Sequence, residues 1–375
     1  MSESSRELRS PIINKDRSVT LNLKSENAEV VEVSSELVFK STRATSSLDG
    51  LQGGRIPMEK ISNSIWTITS IPMLPGRYAY TFWVDGLMTF DPLNPLIRRI
   101  TSLSPFGGSV NKVEIPADEP MSWDFSSDIK HGRVILEKFY SRAFKQVKGC
   151  TIYLPPNYKP TKKYPILYLL HGAKGDSLTW VYSMNADNIL DNMISQKKAK
   201  EMIVAMPDGH EGTVGALLDI NQFTQAISKE ETKRKLREEH TTYFIKDVVP
   251  FVESRYPVLK ESRAIAGLSM GGGQTSNLIA THPKMFKATG MFSSGIMDET
   301  LLAKFSSVKD QLKLYELIYV SCGKWDPILK ESKALNEKLD ELGIQHIYYS
   351  DDAGHINSFW SRSLVDFLSR LSKTK

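Results

Sequence analysis

The spacing of apolar residues divides the chain into two regions with different patterns. Between residues 18 and 116, apolar and polar residues alternate in short runs separated by turn residues, as in antiparallel strands with one buried face. The predicted strands cover residues 18–23, 30–38, 66–70, 77–84 and 110–115. This pattern predicts a small all-β sandwich domain over residues 18–117, preceded by an N-terminal tail over residues 1–17.

From about residue 149, apolar runs alternate with amphipathic helical stretches, which is typical of an α/β domain with a mainly parallel sheet and crossover helices. Strands are predicted at 150–154, 166–170, 202–206, 263–266, 289–292, 317–321 and 346–349, and helices at 186–196, 243–254, 271–281, 329–342 and 358–371. Residues 118–132 form the predicted linker, and residues 133–375 the second domain. Residues 209–239 fit neither pattern and are predicted to be a long irregular connection on the substrate side.

Composition narrows the functional classes. The 375 residues include 48 Lys and Arg against 43 Asp and Glu, a formal net charge of +5, but the charges of both signs are mixed, as in residues 229–240. This mixture favours a solvated face over a nucleic-acid surface. No apolar run is long enough to span a membrane, and two cysteines exclude a disulfide framework. No metal-binding or phosphate-binding motif occurs, so no metal and no cofactor are expected.

The strongest chemical signal is a G-x-S-x-G pentapeptide between a predicted strand and a predicted helix. It reads Gly267-Leu268-Ser269-Met270-Gly271. In a nucleophile elbow the serine occupies a sharp strand-to-helix turn, and small residues on both sides relieve its close contacts. The alternative is a glycine-rich helix start, but the strand-and-helix context favours Ser269 as a catalytic nucleophile.

A serine nucleophile needs a base and an acid, which follow it in the order Asp and then His in this type of sheet. His282 lies at a predicted helix end and His346 starts a strand, whereas His355 lies in a loop after the predicted strand 346–349. Such loops carry catalytic groups in open α/β sheets, so His355 is the predicted base.

Asp326, in the loop after strand 317–321, is the predicted acid that orients His355, although it is also suited to cap the next helix. Asp351 and Asp352 are alternatives that lie closer to His355 in sequence.

The oxyanion of the reaction needs backbone N–H donors. We expect one from Met270 and the other from Ala173 or its neighbour, in the loop that follows strand 166–170. Gly172 and three tryptophans near these residues are predicted to bind substrate: Trp180, Trp325 and Trp360. Each tryptophan alone is more typical of packing, but together they suggest an aromatic or sugar-bearing substrate.

Residues 131–371 resemble the esterase D-like family of α/β-hydrolases, which includes feruloyl esterases, acetyl xylan esterases, enterochelin esterases, S-formylglutathione hydrolase and mycolyltransferases. The resemblance rests on Tyr153–Tyr158, Tyr168–Gly172, Met206–Gly209, Ala266–Gly273 and Ala353–His355. It implies ester hydrolysis by a Ser-Asp-His triad made of Ser269, Asp326 and His355.

The N-terminal part resembles the early-set, glycogen-binding-like modules of immunoglobulin-like fold, on the basis of Trp66, Pro75–Gly86 and Asp91–Pro95. Trp66 and Trp83 would either stack on a glycan or belong to the core. This module joined to this hydrolase type resembles the bacterial feruloyl esterases of carbohydrate esterase family 1. That likeness implies a secreted or periplasmic enzyme. Residues 1–9 lack the apolar centre of a signal peptide, so we expect either a cytoplasmic protein or an export signal that is absent from this version of the sequence.

The sequence therefore predicts a serine esterase that removes feruloyl groups from xylan or xylo-oligosaccharides, without nucleic-acid or membrane partners. The alternatives are a ferric siderophore (enterochelin-type) esterase, an acetyl xylan esterase and a non-catalytic carbohydrate-binding protein. The oligomeric state is not predicted.

Overall fold

The computed structural model describes residues 8–39, 54–99, 109–173, 175–209, 230–295 and 299–374. The chain divides into two compact units. The described parts of residues 8–99, 109–120 and 353–358 form the first unit, and those of 121–352 and 359–374 form the second.

The first unit is an antiparallel β-sandwich. Its strands are β1 (Ile12–Ile13), β2 (Val19–Lys24), β3 (Val31–Ser35), β4 (Ile56–Pro57), β5 (Glu59–Lys60), β6 (Ile65–Thr69), β7 (Gly76–Val84), β8 (Leu87–Thr89), β9 (Ile97–Arg99) and β10 (Ser109–Ile115). One sheet has the order β1-β2-β6-β5, and the other has the order β4-β3-β7-β10-β9 with β8 paired to β7. The predicted all-β sandwich is therefore confirmed.

The alternating pattern of these strands explains their packing. Val19, Leu21 and Leu23 all point to one face of β2 and are buried in the core between the sheets, as are Val31 and Val33 of β3. Burying one face of each strand stabilises the folded state by about 25 cal/mol for each Å² of apolar surface that is removed from water.

Two segments join the first unit although the predicted domain boundaries put them elsewhere. Within the predicted tail, residues 12–13 pair with β2 as strand β1, and the Ser10 hydroxyl donates to Asp91. Residues 353–358, inside the predicted second domain, also belong to this unit because Ile356 packs against the sandwich core. At Gly76, an added Cβ would lie 3.1 Å from the Cβ of Ser358.

The second unit is built around one eight-stranded sheet. Its strands are β11 (Arg133–Ser141), β12 (Gln146–Leu154), β13 (Tyr164–Leu170), β14 (Ile203–Pro207), β15 (Val258–Leu268), β16 (Ala288–Phe292), β17 (Leu317–Ser321) and β18 (Ile347–Tyr349). The order is β11-β12-β14-β13-β15-β16-β17-β18. Strands β13 to β18 are mutually parallel, whereas β11 and β12 are antiparallel additions at one edge.

The helices of this unit connect the strands. They are α1 (Thr179–Met184), α2 (Ala186–Ser195), α3 (Glu230–Tyr243), α4 (Val249–Arg255), α5 (Met270–Thr281), α6 (Glu299–Ser307), α7 (Lys309–Leu312), α8 (Leu329–Glu341) and α9 (Asn357–Leu371), with a π-helical turn at Phe244–Val248 between α3 and α4. Strands β14, β16 and β17 are buried at every position, as in a parallel sheet that is covered on both faces. This architecture confirms the predicted α/β fold with a mainly parallel sheet.

Helix α3 differs from the irregular connection predicted for residues 209–239. Its charged residues form pairs along the helix, including Arg234 with Glu238 and Lys235 with Glu239. The opposite face buries Leu236, His240 and Tyr243, at helical spacing. Residues 210–229 of the predicted connection lie outside the described part of the chain. Among the described residues, no helix is both long and apolar enough to cross a lipid bilayer.

Most of the predicted linker is fixed to the second unit. The side-chain amide of Asn192 donates to the backbone carbonyls of Ser122 and Asp124. At the end of the linker, the buried carboxylate of Asp191 accepts hydrogen bonds from His131 Nδ1 at 2.9 Å, from Gly132 N–H at 2.8 Å and from the Tyr153 hydroxyl at 2.6 Å. Asp191 therefore anchors the chain where it enters β11.

The His131 anchor predicts a pH-dependent stability. The hydrogen bond that His131 donates to Asp191 raises the pKa of His131 above its ordinary value of 6.5. The stabilisation is therefore complete below about pH 6.5 and is lost as the pH rises through the raised pKa. We expect His131→Gln to lower the free energy of unfolding by up to about 1 kcal/mol at pH 5.5, and by less at pH 9.

Urea unfolding of the native protein and of His131→Gln at both pH values measures this difference. His282→Gln is the control, since the ring of His282 lies 3.0 Å from the neutral hydroxyl of Thr281. An equal loss for His131→Gln at pH 5.5 and pH 9 would contradict the ionic anchor.

Candidate functional site

The predicted site residues of the second unit follow neighbouring parallel strands. In the sheet, β15 lies between β13 and β16, and β17 lies between β16 and β18. Because parallel strands end at the same edge of a sheet, the residues after β13, β15 and β17 share that edge. Gly172, Ser269 and Asp326 each lie in one of these segments.

Ser269 occupies the turn between β15 and α5 in a strained backbone conformation, with φ 53° and ψ −118°. This φ is uncommon for a residue with a side chain and therefore costs free energy. Hydrogen bonds hold the turn: Ser269 N–H donates to Phe292 O at 2.8 Å, and Ser269 O accepts from Gly295 N–H at 3.0 Å. The sequence context of the G-x-S-x-G motif therefore corresponds to a real strand-to-helix turn.

The glycines of the motif are needed because the backbone is packed closely here. A Cβ on Gly267 would lie 2.4 Å from Gly271 O, and a Cβ on Gly271 would lie 2.5 Å from His171 O. Both distances are far below van der Waals contact, and the opposing atoms are backbone atoms that cannot rotate away. Glycine at 267 therefore lets the turn close on itself, and glycine at 271 lets the turn approach the segment after β13.

The loop predicted to supply an oxyanion donor lies against the serine. A Cβ on Gly172 would be 3.2 Å from the Ser269 Cβ and 2.6 Å from the Leu268 Cδ1. Ala173, the next residue, is exposed. Met270 is the first residue of α5, where backbone N–H groups have no partner within the helix. The two predicted donors, Met270 and Ala173, thus belong to two segments that meet at Ser269.

Asp326 lies after β17 and is only 5% exposed. Its Oδ1 accepts a hydrogen bond from Ile328 N–H at 3.0 Å in the turn before α8, which has no side-chain cap, so the capping role that the sequence allows is not present. The two alternative acids have other partners: Asp351 accepts from Arg362 at 2.7 Å, and the exposed Asp352 pairs with Lys324 at 2.8 Å. Burial thus distinguishes Asp326 from the exposed Asp352, and the carboxylate of Asp351 is engaged by Arg362.

His355 is half-buried and lies in the segment 353–358, which is part of the first unit. In the chain it follows β18, which neighbours β17 in the sheet. Within the segment, Ile356 N–H donates to Gly354 O at 3.0 Å and so closes a tight turn at His355. Its role as the base stays a prediction.

The three tryptophans near the predicted site have different surroundings. Trp180 is 1% exposed, and its indole N–H donates to Leu170 O at 3.0 Å, so it is a core side chain with no face open to a ligand. Trp360 is also buried and donates to the Ser293 hydroxyl. Trp325 is 53% exposed and is the one of the three with an accessible ring. The geometry favours packing for Trp180 and Trp360, in place of the substrate stacking expected from the sequence.

The two tryptophans of the sandwich are likewise buried. The Trp66 indole donates to Ser25 O, and Lys60 Nζ lies 4.9 Å from its ring centroid. The Trp83 indole donates to the Ser34 hydroxyl, and the Arg55 guanidinium lies 3.8 Å from its ring centroid. These contacts favour the structural alternative for both residues.

Sequence reasoning missed a cluster of buried polar residues beneath the site. His171 binds Gly209 N–H, Lys148 forms an ion pair of 3.0 Å with Asp208, and Gln274 of α5 donates to Gly209 O. Asp208 and Gly209 directly follow β14, so position after a strand was the available signal. In the part of the chain that the structure describes, no group of three or more His, Cys, Asp or Glu side chains is arranged to hold a metal ion.

Comparison with known proteins relates this arrangement to esterases. The family model described as "Putative esterase" matches residues 141–371. An endo-1,4-beta-xylanase/feruloyl esterase of Xylanibacter ruminicola is 30% identical over 297 residues, which cover 76% of this chain and 36% of that protein. The chain thus spans about a third of the length of this curated relative.

Two solved structures have a similar fold. The CE1 ferulic acid esterase of Anaeromyces mucronatus, determined in complex with ferulic acid, has a TM-score of 0.56 at 19% identity and covers 68% of this chain and 94% of its own. The enterochelin esterase of Shigella flexneri has a TM-score of 0.66 at 16% identity and covers 95% of this chain and 92% of its own. Both likenesses concern the fold.

The surroundings of the tryptophans predict effects of very different size for two substitutions. Trp180→Ala removes a buried ring and its hydrogen bond to Leu170 O, so we expect it to lower the free energy of unfolding by about 3–5 kcal/mol. Trp325→Ala removes an exposed ring, so the change should stay within about 0.5 kcal/mol. Urea unfolding measures both, and a stable Trp180→Ala protein would contradict the core role.

Proposed function

This chain belongs to the esterase family whose model matches residues 141–371, and is thus a carboxylic ester hydrolase. From that premise, we propose that it removes feruloyl groups from plant cell-wall xylan by a Ser-His-Asp mechanism. The observation that carries the mechanism is the strained turn at Ser269, against which the backbone of Gly172 is packed. A serine raised on such a turn, with backbone N–H groups on both sides, is suited to acyl transfer.

In the proposed reaction, Ser269 Oγ attacks the carbonyl carbon of the ester while His355 takes the hydroxyl proton. The tetrahedral intermediate then collapses, the bond to the sugar oxygen breaks, and His355 returns the proton to that oxygen. Water, deprotonated by His355, attacks the acyl-enzyme, which releases the hydroxycinnamic acid and restores Ser269. The carbonyl carbon is neither oxidised nor reduced, so the reaction consumes one water molecule and needs no oxidant or reductant.

Asp326 has the role of orienting His355 and stabilising its imidazolium form. Its burial supports this role, since a carboxylate interacts more strongly with a neighbouring cation where water is excluded. The negative charge of the intermediate is held by the N–H groups of Met270 and Ala173. Met270 adds the favourable end of the α5 dipole, since it is the first residue of that helix.

The feruloyl substrate is supported by the relative from Xylanibacter ruminicola, whose name includes feruloyl esterase and which is 30% identical over most of this chain. The exposed ring of Trp325, next to the predicted acid, offers a flat surface on which an aromatic acyl group or a sugar can stack. We do not assign glycan binding to Trp66 or Trp83, because their rings are buried in the first unit.

A siderophore esterase is the second candidate. The supporting observation is that the enterochelin esterase fold matches 95% of this chain, whereas the ferulic acid esterase fold matches 68%. A catecholate trilactone also contains carboxylic ester bonds, so the same catalytic residues would serve both substrates.

The substrate prediction is tested with four esters: methyl ferulate, feruloylated arabinoxylan oligosaccharides, a catecholate trilactone and 4-nitrophenyl acetate. We expect the native protein to release ferulate from the first two, as measured by chromatography. Ser269→Ala should lower kcat on every cleaved ester by at least about 10⁴-fold, because the nucleophile is absent. Ser254→Ala, which removes an exposed hydroxyl on α4, is the matched control and should keep full activity.

The outcomes separate the proposals. Trilactone cleavage without ferulate release would replace the feruloyl substrate by a siderophore. Activity of Ser269→Ala equal to that of the native protein would overturn the mechanism.

The choice of acid gives a separate prediction. Asp326→Asn should lower kcat by on the order of 10⁴-fold with little change in the unfolding midpoint, because the amide no longer stabilises the correct histidine tautomer and its cation. Asp352→Asn is the control, since this exposed carboxylate pairs with Lys324 at the surface. Hydrolysis of 4-nitrophenyl acetate measures both, and a larger loss in Asp352→Asn would reassign the acid.

A further inference from the structure

His171 is buried directly after β13 and has a defined partner at each ring nitrogen. Gly209 N–H lies 2.8 Å from His171 Nε2, and His171 Nδ1 lies 2.7 Å from Gly172 O. A backbone N–H can only donate, so Nε2 accepts and carries no hydrogen. The hydrogen of the neutral ring is therefore on Nδ1, which donates to Gly172 O.

This hydrogen bond acts on the peptide group that contains the predicted oxyanion donor. Gly172 O and Ala173 N–H belong to the same peptide, which is planar and trans, so the two groups point in opposite directions. The carbonyl also accepts from Gly175 N–H at 3.1 Å. Two donors on one side of the peptide thus fix the direction in which Ala173 N–H points on the other side.

The peptide is close enough to the nucleophile for its direction to matter. Its Gly172 backbone lies so near to Ser269 that an added Cβ would be 3.2 Å from the serine Cβ. A donor stabilises the oxyanion only when it is aimed at the position where the charge develops. Rotation of this peptide would turn the N–H of Ala173 away without moving any other predicted catalytic group.

The opposite side of the His171 ring is tied to two further segments at the same edge of the sheet. Gly209, which donates to Nε2, follows β14, and its carbonyl accepts from Gln274 Nε2 at 2.8 Å. Gln274 lies on α5, the helix that begins directly after Ser269. The ring is thus the central member of a hydrogen-bonded chain from Gly172 through Gly209 to the nucleophile helix.

From this geometry we propose that His171 is a positioning residue for ester hydrolysis: its Nδ1–H orients the Gly172–Ala173 peptide so that Ala173 N–H donates to the oxyanion. The inference rests on the proposed serine mechanism and adds a residue outside the triad. His171 neither touches the substrate nor exchanges a proton in this role.

Two substitutions separate the functions of the two ring nitrogens. His171→Gln puts an amide oxygen near the position of Nε2 and keeps an acceptor for Gly209 N–H, but it removes the donor to Gly172 O. His171→Asn puts an amide N–H near the position of Nδ1 and keeps that donor, but it leaves Gly209 N–H without its acceptor. If His171 had only a structural role, each variant would lose activity in proportion to its loss of stability.

We expect His171→Gln to lower kcat for 4-nitrophenyl acetate by about 100-fold with KM almost unchanged, since loss of one oxyanion donor typically costs 10²–10³ in kcat. His171→Asn should keep kcat within about fivefold of the native value, even where it melts at a lower temperature. A trifluoromethyl ketone, which forms an oxyanion on the serine, should bind His171→Gln about 100-fold more weakly and His171→Asn nearly normally.

His346→Gln is the matched control. His346 is also largely buried, and its ring nitrogens contact Ile344 O and Asn336 Oδ1. It precedes β18, however, and so lies at the amino ends of the parallel strands, whereas the predicted site lies at their carboxyl ends. It should change stability and leave kcat and inhibitor affinity at native values.

Equal kcat losses in His171→Gln and His171→Asn, or a full kcat in His171→Gln, would overturn the proposal. Failure of the serine mechanism would be recognised separately, because the native protein would then be inactive or Ser269→Ala would remain active.

Discussion

The close approach of two backbone segments is the constraint on which the site depends. The turn at Ser269 and the segment after β13 are in contact through positions where no side chain fits, namely Gly172, Gly267 and Gly271. The strained φ of Ser269 persists because hydrogen bonds from β16 and α5 surround it. A larger residue at any of these glycines would separate the segments and with them the groups that have to act on one carbonyl.

Around this contact, the polar groups are arranged in a buried layer and an exposed layer. His171, Gln274 and Lys148 lie in the buried layer, where each hydrogen bond replaces contact with water, and Lys148 pairs there with the partly exposed Asp208. His240 belongs to the same region, and its burial, together with the nearby positive charge of Lys148, lowers its pKa to about 3. It is therefore neutral at physiological pH, so it adds no charge beside the paired lysine and aspartate. The exposed layer contains Ala173 and Trp325.

The sequence was sufficient to predict the elements with strong periodicity and the turn at Ser269. The β13 to β17 strands are long apolar runs, and the G-x-S-x-G motif lies between such a run and a helix. Strands β1, β4 and β5 have only two residues each and show no period. Helix α3 was missed because most of its residues are charged or polar and its buried face is narrow, with only Leu236, His240 and Tyr243. The exposure of Trp180 and Trp325 depends on tertiary packing, so local sequence could not distinguish them. The contact of His171 could not be predicted, because its partner Gly209 is 38 residues away in the chain.

The return of residues 353–358 to the first unit makes that unit discontinuous in sequence. Ile356 completes a core whose other members all lie before residue 116. During synthesis, the sandwich must therefore wait for more than two hundred further residues before its last apolar side chain is available. Contacts of such long sequence separation form late, because the entropy of closing a large loop opposes them. A chain that is interrupted before residue 353 would leave the sandwich without this contact, and the predicted base His355 would be missing together with it.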